Sequence, residues 1–428
     1  MERMVKMSRI SLLSIFTAIL LFISFSVVHA ETSELYFDYL KSVFNKHDKK
    51  LSEFLQAELD AYLSMYPDNQ YSPEASCLLG QVYNERGKEH MAFAMFIKTI
   101  LLYPDSEARA LADTEIRRII ANNKVYQEKP DEISRAIDGA GTGIDFTDRH
   151  FEYLTFLREL NVNKLYEWTI QEFYNFLIHH RDDERCEKIH RWIADYYNLK
   201  GDPEASVAGY LKYEKLYADS PNLAYVKVNR ADVMYKELKD FESANAVLTE
   251  VIENYPATEH AALALFLRAE IKDRRLKNPN GAIEDYRRLV TEMPAHDKAV
   301  EALMAIADIN AGELKAYRAA INTYDEIAED YPADKRGVDA LREAAELHMK
   351  LKEAHNAAKK YAQIAVQFPD YEKSPEMLFK AADIAAGKLK DYPGAIEYFE
   401  MVVAQYPDTE MARKARKKIE KLQEKVGE

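Results

Sequence analysis

The chain has 428 residues, 47% apolar and 30% charged, so it can bury a large core, and composition excludes a disordered protein. Only 13 Gly and 14 Pro punctuate it, a balance that favours helices with short connections over a β-rich fold. Residues 1–30 carry net +2 (Arg3, Lys6 and Arg9 against Glu2), so the formal charge of −14 becomes −16 on the remainder, which argues against a nucleic-acid partner.

The first element is the N-terminal segment. Arg3, Lys6 and Arg9 precede an apolar stretch from Ser11 to Val28, and Val28-His29-Ala30 places small residues at −3 and −1 of a cleavage point. This reads as a secretory signal peptide, cleaved after Ala30, that delivers the chain to the periplasm. The stretch is also long enough to serve, uncleaved, as an inner-membrane anchor. No Cys lies near the boundary, so a lipid-bearing N-terminus is not indicated, and no other stretch is apolar enough to span a membrane. Cys77 and Cys186 are too far apart along a helical array to pair, so a disulfide framework is not expected.

Beyond this segment an aromatic residue followed by proline recurs: Tyr66-Pro67, Tyr103-Pro104, Tyr255-Pro256, Tyr331-Pro332, Phe368-Pro369 and Tyr406-Pro407, with Met293-Pro294 in the one gap. From Pro256 onward the spacings are 38, 38, 37 and 38 residues. Twelve residues before a proline stand Ala92, Ala244, Ala282, Ala320, Ala357 and Ala395, and four residues after most of these comes an aromatic: Phe96, Tyr286, Tyr324, Tyr361 or Phe399. Between prolines lie two amphipathic runs of three to four turns. The alanine lets the second helix approach the first, the aromatic fills the space beside it, and the proline ends the unit.

Unit Ser76 to Pro104, with Leu79-Gly80, Tyr83, Ala92, Phe96 and Pro104, resembles the tetratricopeptide repeat. The ending Tyr-Pro-Asp-Ser/Thr-Glu at Tyr103 and Tyr406 is similar to a subgroup found in bacterial envelope proteins, which includes the outer-membrane assembly lipoprotein and the Tol-associated periplasmic coordinator. The resemblance is close over 71–104 and 222–407, weak over 33–67 and 150–221, where Trp168 falls at the alanine place and His180 at the proline place, and poor over 105–149. It implies an all-α, right-handed α-solenoid of about ten helical pairs. The expected organisation is a signal peptide (1–30), N-terminal repeats (31–121), an irregular loop or flexure around Gly139 (122–149), degenerate repeats (150–221), regular repeats (222–407) and a capping helix (408–428). Structural positions of the repeat are Gly80, Ala92, Pro104, Ala244, Pro256, Ala282, Ala320, Pro332, Ala357, Pro369, Ala395 and Pro407.

A row of acids is the first candidate site. Asp195, Asp232, Glu270, Asp308, Glu346 and Asp383 each follow a small residue and recur every 37 or 38 residues. In tetratricopeptide arrays this place faces the concave groove, so the resemblance implies a carboxylate stripe for a basic segment of a partner. The competing reading is that each acid pairs with Lys or Arg on a neighbouring helix. Cys186 and His190, four apart on one helical face, form a candidate metal pair, although their spacing matches no closed zinc site. The basic run Arg413 to Lys418, with Lys421 and Lys425, reads as the outer face of a capping helix. Gly139 to Gly143 follows no apolar strand and precedes no Lys-Ser/Thr, so it is not read as a nucleotide loop. No nucleophile elbow, no His-Glu-x-x-His and no non-repeat domain is present to carry catalysis.

The reading is therefore a non-catalytic periplasmic scaffold without a cofactor, whose partners are proteins of the cell envelope. Two alternatives remain: a metal- or glycan-binding periplasmic protein, and an accessory subunit of a polysaccharide or protein export complex.

Overall fold

A computed structural model describes residues 31–141, 144–256 and 258–426, so the N-terminal signal reading lies outside the described residues. The fold is all-α, a solenoid of repeated helical pairs with no strand among the described residues. No described helix is long and apolar enough to cross a membrane.

The helices divide into two compact units, the first ending at Tyr213 and the second beginning at Glu214. In the first unit, residues 31–44 form α1, which pairs in sequence with α2 (Ser52–Met65). Next come α3 (Ser72–Glu85) with α4 (Glu89–Leu102), then α5 (Ala108–Asn122) with the short α6 (Lys124–Gln127) and α7 (Pro130–Asp138). Two further pairs are α8 (Phe146–Leu160) with α9 (Tyr166–His179), and α10 (Cys186–Lys200) with α11 (Pro203–Leu216), within which the division falls.

Five uninterrupted pairs build the second unit: α12 (Leu223–Val233) with α13 (Phe241–Asn254), α14 (Glu259–Arg274) with α15 (Pro279–Glu292), α16 (Ala299–Gly312) with α17 (Tyr317–Asp330), α18 (Arg336–Lys350) with α19 (Ala354–Gln367), and α20 (Ser374–Ile384) with α21 (Tyr392–Gln405). The closing helix α22 (Glu410–Val426) buries Ala412, Ala415 and Leu422 and leaves its basic residues exposed.

Three sequence devices set each pair. The six repeat alanines are fully buried, and the aromatic four residues on is buried against the same seam. A Cβ placed on Gly80 would lie 2.6 Å from the Phe96 ring, so only glycine admits that ring. The aromatic before the proline caps its helix in a non-helical conformation, with φ of −125° to −131° and ψ of 53° to 58°, outside the α region that a following proline disfavours. Its hydroxyl then reaches back one repeat: Tyr103 donates to the Pro67 carbonyl at 2.6 Å, Tyr331 to Pro294 at 2.9 Å and Tyr406 to Pro369 at 3.3 Å. The Ser or Thr three residues after that aromatic donates to its carbonyl, as Ser106, Thr258 and Thr409 do, each at 2.8 Å.

Two expectations need correction. Residues 122–149 are not an irregular loop: α6, α7 and the start of α8 occupy most of it, and between α7 and α8 the described non-helical residues are 139–141 and 144–145. Here α5 to α7 depart from the repeat and leave α4, which is apolar on every side, packed on α3, α5 and α8. The assignment of Trp168 and His180 is also off by one. The cap of α9 is His180, in the backbone conformation of the Tyr-Pro tyrosines, so Thr169, buried, takes the alanine place and Phe173 the aromatic place.

Candidate functional site

The six acids occupy equivalent positions on the leading helices of their pairs, each beside a fully buried alanine, and each has an internal partner. Tyr210 donates to Asp195 and Tyr324 to Asp308, both at 2.6 Å, and Tyr361 donates to Glu346. These tyrosines are the repeat's own aromatics, so in these three repeats the periodic acid and the periodic tyrosine are two ends of one latch. Where the aromatic place lacks a hydroxyl, a cation substitutes. Leu248 stands there beside Asp232, which pairs with Lys236, and Phe399 stands beside Asp383, which pairs with Lys418, both at 2.8 Å. Glu270 pairs with Arg274 at 2.8 Å.

Asp195 belongs to the first unit and the other five to the second. Asp195, Asp232 and Glu270 are half-buried, whereas Asp308, Glu346 and Asp383 are exposed. Hydrogen bonds from Lys380 and Tyr361 hold the Glu346 carboxyl below its usual range, and burial raises that of Asp195.

Cys186 is buried and its thiol donates to the His180 carbonyl at 3.0 Å, while His190 Nδ1 meets the Cys186 carbonyl at 3.0 Å. Burial pushes the thiol pKa up, away from the thiolate a metal needs. Among the described residues no three His, Cys, Asp or Glu side chains are gathered to hold a metal ion. Cys77 and Cys186 are both free and buried.

Sequence reasoning missed a cleft of about 490 Å³ in the first unit, between α2 and α9 and floored by α3, α4 and α8. Its floor carries charge where a core would be apolar. Lys98 Nζ donates to both oxygens of the buried Glu172, at 2.9 and 2.8 Å, and His150 Nε2 lies 3.8 Å from Glu172, too long for a hydrogen bond. The other ring nitrogen of His150 meets His180 Nε2 at 3.1 Å, and His180 Nδ1 meets the Thr147 hydroxyl at 3.2 Å.

Burial drives the His150 pKa down to about 4, against the raising effect of the Glu172 carboxylate. Burial alone would raise the pKa of Glu172, but Lys98 and His150 outweigh it and hold the carboxyl at about 2. The floor is thus a neutral imidazole beside a tight ion pair. On the walls, Tyr83 donates to Asp60 at 3.3 Å, and Trp168 donates through its indole N–H to the Tyr153 hydroxyl at 2.9 Å.

Lys98, His150 and Glu172 lie on three helices, up to 74 residues apart, so no local motif links them. The available signal was a lone charge in each of two segments: Lys98 within the apolar run Met91 to Leu102, and Glu172 beside the aromatics Phe173, Tyr174 and Phe176.

The tetratricopeptide repeat profile matches residues 225–258 and 376–409, the α12–α13 and α20–α21 pairs. Among curated proteins none matches the chain. It is similar to the solved structure of a tetratricopeptide repeat protein from Parabacteroides merdae, at 12% identity over 64% of this chain and 98% of that one, with a TM-score of 0.37. PilF of Pseudomonas aeruginosa is similar at 18% identity over 54% and 95% (TM-score 0.37), and MamA from Desulfovibrio magneticus RS-1 at 17% over 45% and 99% (TM-score 0.35). The chain carries tetratricopeptide repeats, a fold that scaffolds protein–protein interaction.

Proposed function

We propose that this chain is a non-catalytic scaffold of the cell envelope, exported through residues 1–30, that docks a protein partner on the leading helices of its second unit. One observation carries the reading. Five consecutive pairs, two of them matching the tetratricopeptide profile, set one carboxylate per leading helix at a fixed place, and three in succession, Asp308, Glu346 and Asp383, are exposed. Their internal partners leave them available, because exposed ion pairs such as Glu346–Lys380 and Asp383–Lys418 contribute about 0–1 kcal/mol. A basic segment of a partner can therefore exchange with Lys380 and Lys418 at little cost. The acidic surface also steers such a segment in at low salt.

The test is affinity purification from envelope extract at low and high salt, comparing wild type with a variant carrying Asp308, Glu346 and Asp383 all changed to Lys. A partner retained by wild type at low salt, and lost from the variant and at high salt, supports this docking face. Equal retention by both proteins would refute it.

A further inference from the structure

A cleft lined by unpartnered polar groups belongs to a different kind of site from the acid row, and it lies wholly within the first unit. We propose that this cleft binds a neutral polyhydroxylated ligand, a short glycan segment, independently of the docking face on the second unit. Its volume of about 490 Å³ lies in the range of roughly 300–1,000 Å³ typical of small-ligand sites.

Three observations select the ligand class. The first is charge. Glu172 is neutralised by Lys98, Glu167 is bridged by Lys200, Asp60 accepts from Tyr83, and Lys88 donates to Gln56. Glu172 and Glu167 are thus ion-paired, and Asp60 and Lys88, bonded only to uncharged groups, carry opposite charges that cancel, so the lining offers an ionic ligand no net charge.

The second is unsatisfied hydrogen-bonding capacity. His150 is only 3% exposed, yet its Nε2 has no hydrogen-bond partner although it lines the cleft. Such an atom costs about 1–3 kcal/mol where it stays unpaired. Gln171 and Asn175, one turn apart on the cleft face of α9, have no hydrogen-bond partner among the described residues. A side-chain amide both donates and accepts, as a sugar hydroxyl does, so the two chemistries match group for group.

The third is a fixed aromatic surface. The Trp168 ring is held by its N–H bond to Tyr153 and stands edge-on to Tyr83, with ring centroids 5.6 Å apart. A held indole beside amides gives the apolar face of a sugar ring a place to rest while its hydroxyls reach Gln171 and Asn175.

The test uses the purified full chain, titrated with neutral tetrasaccharides of glucose, mannose and N-acetylglucosamine and, separately, with an uncharged peptide of similar size. Binding is followed by tryptophan fluorescence and by saturation-transfer NMR. At least one tetrasaccharide should bind with a dissociation constant below about 1 mM. The variant Gln171→Ala/Asn175→Ala should weaken that binding at least tenfold without lowering the melting temperature, since neither amide bonds within the described residues and alanine suits a helix. Trp168→Phe should abolish the fluorescence change while the NMR signal persists. The proposal is overturned if no tetrasaccharide binds, if the double variant binds as wild type does, or if only the peptide binds.

Discussion

The two units solve the same packing problem with different residues, and the turn between the helices of a pair shows how. That turn needs one residue in the left-handed region, five residues before the alanine place. Two turns of the first unit use glycine there, at Gly87 and Gly201, while its α1–α2 and α8–α9 turns place His47 and Asn161 in the left-handed region instead, eight residues before the alanine place. The second uses lysine at all five of its turns: Lys239, Lys277, Lys315, Lys352 and Lys390. For an L-residue this conformation costs about 1–2 kcal/mol, so the second unit carries local strain that its regular stacking must offset. The first unit spends its stability elsewhere, on a buried ion pair and a neutral histidine beneath a cleft. The comparison teaches that regularity is the resource of the second unit and a specific buried network that of the first.

The largest expected effect comes from breaking that network. Lys98→Ala leaves Glu172 as an uncompensated buried charge and should destabilise the first unit by about 3–5 kcal/mol. Replacing both partners, as Lys98→Met with Glu172→Met, should recover most of that loss. Denaturant unfolding read by hydrogen exchange in α4, α8 and α9, with α16 to α19 as the internal reference, checks both outcomes.

Acid should separate the units next. His150 titrates near 4 when folded and near 6.5 when unfolded, so between those values the unfolded chain binds the extra proton. The first unit should therefore lose stability as pH falls from about 6.5 to about 4, by on the order of 3 kcal/mol in total. Glu172, held at about 2, adds a further loss only below about 4.5. His150→Phe should flatten the upper part of this profile in a melting series, and a profile unchanged by that substitution would contradict the assignment.

Smaller effects probe the turns and the inter-repeat links. Gly201→Ala should cost the first unit about 1 kcal/mol, whereas Lys315→Gly should stabilise the second by up to about 1 kcal/mol. Opposite signs in the two melting shifts are the expected result. Tyr331→Phe removes only the hydroxyl that reaches Pro294 and should cost about 0.5–1 kcal/mol in the same assay.

Much of the fold could be read from the sequence, because helical period and proline spacing are local signals. The alanines, the Tyr-Pro caps and the closing helix all stand where the 37- or 38-residue period puts them. Residues 122–149 were misjudged because Gly139 and Gly141 suggested a long break, whereas Pro130 starts a helix rather than ending one. Trp168 was misplaced because no proline follows His180, and counting from a missing proline shifts the register by one.

The acid row was visible as a period, but its tyrosine partners lie 15 or 16 residues on and across a helix pair, so only packing shows the latch. The cleft was legible only as two lone charges, Lys98 and Glu172, with nothing to say that they meet. Its ion pair joins residues 74 apart across the non-repeating α5 to α7 excursion, where no period predicts which helices meet.

The most direct measurement of the docking account is site-specific photo-crosslinking in cells. The photoreactive residue is placed in turn at Asp308, Glu346 and, as the reference, Val366, which is 62% exposed on the trailing helix α19. The account predicts one common protein adduct at Asp308 and Glu346 and none at Val366. An adduct at Val366 alone, or no adduct at either acid position, would contradict it.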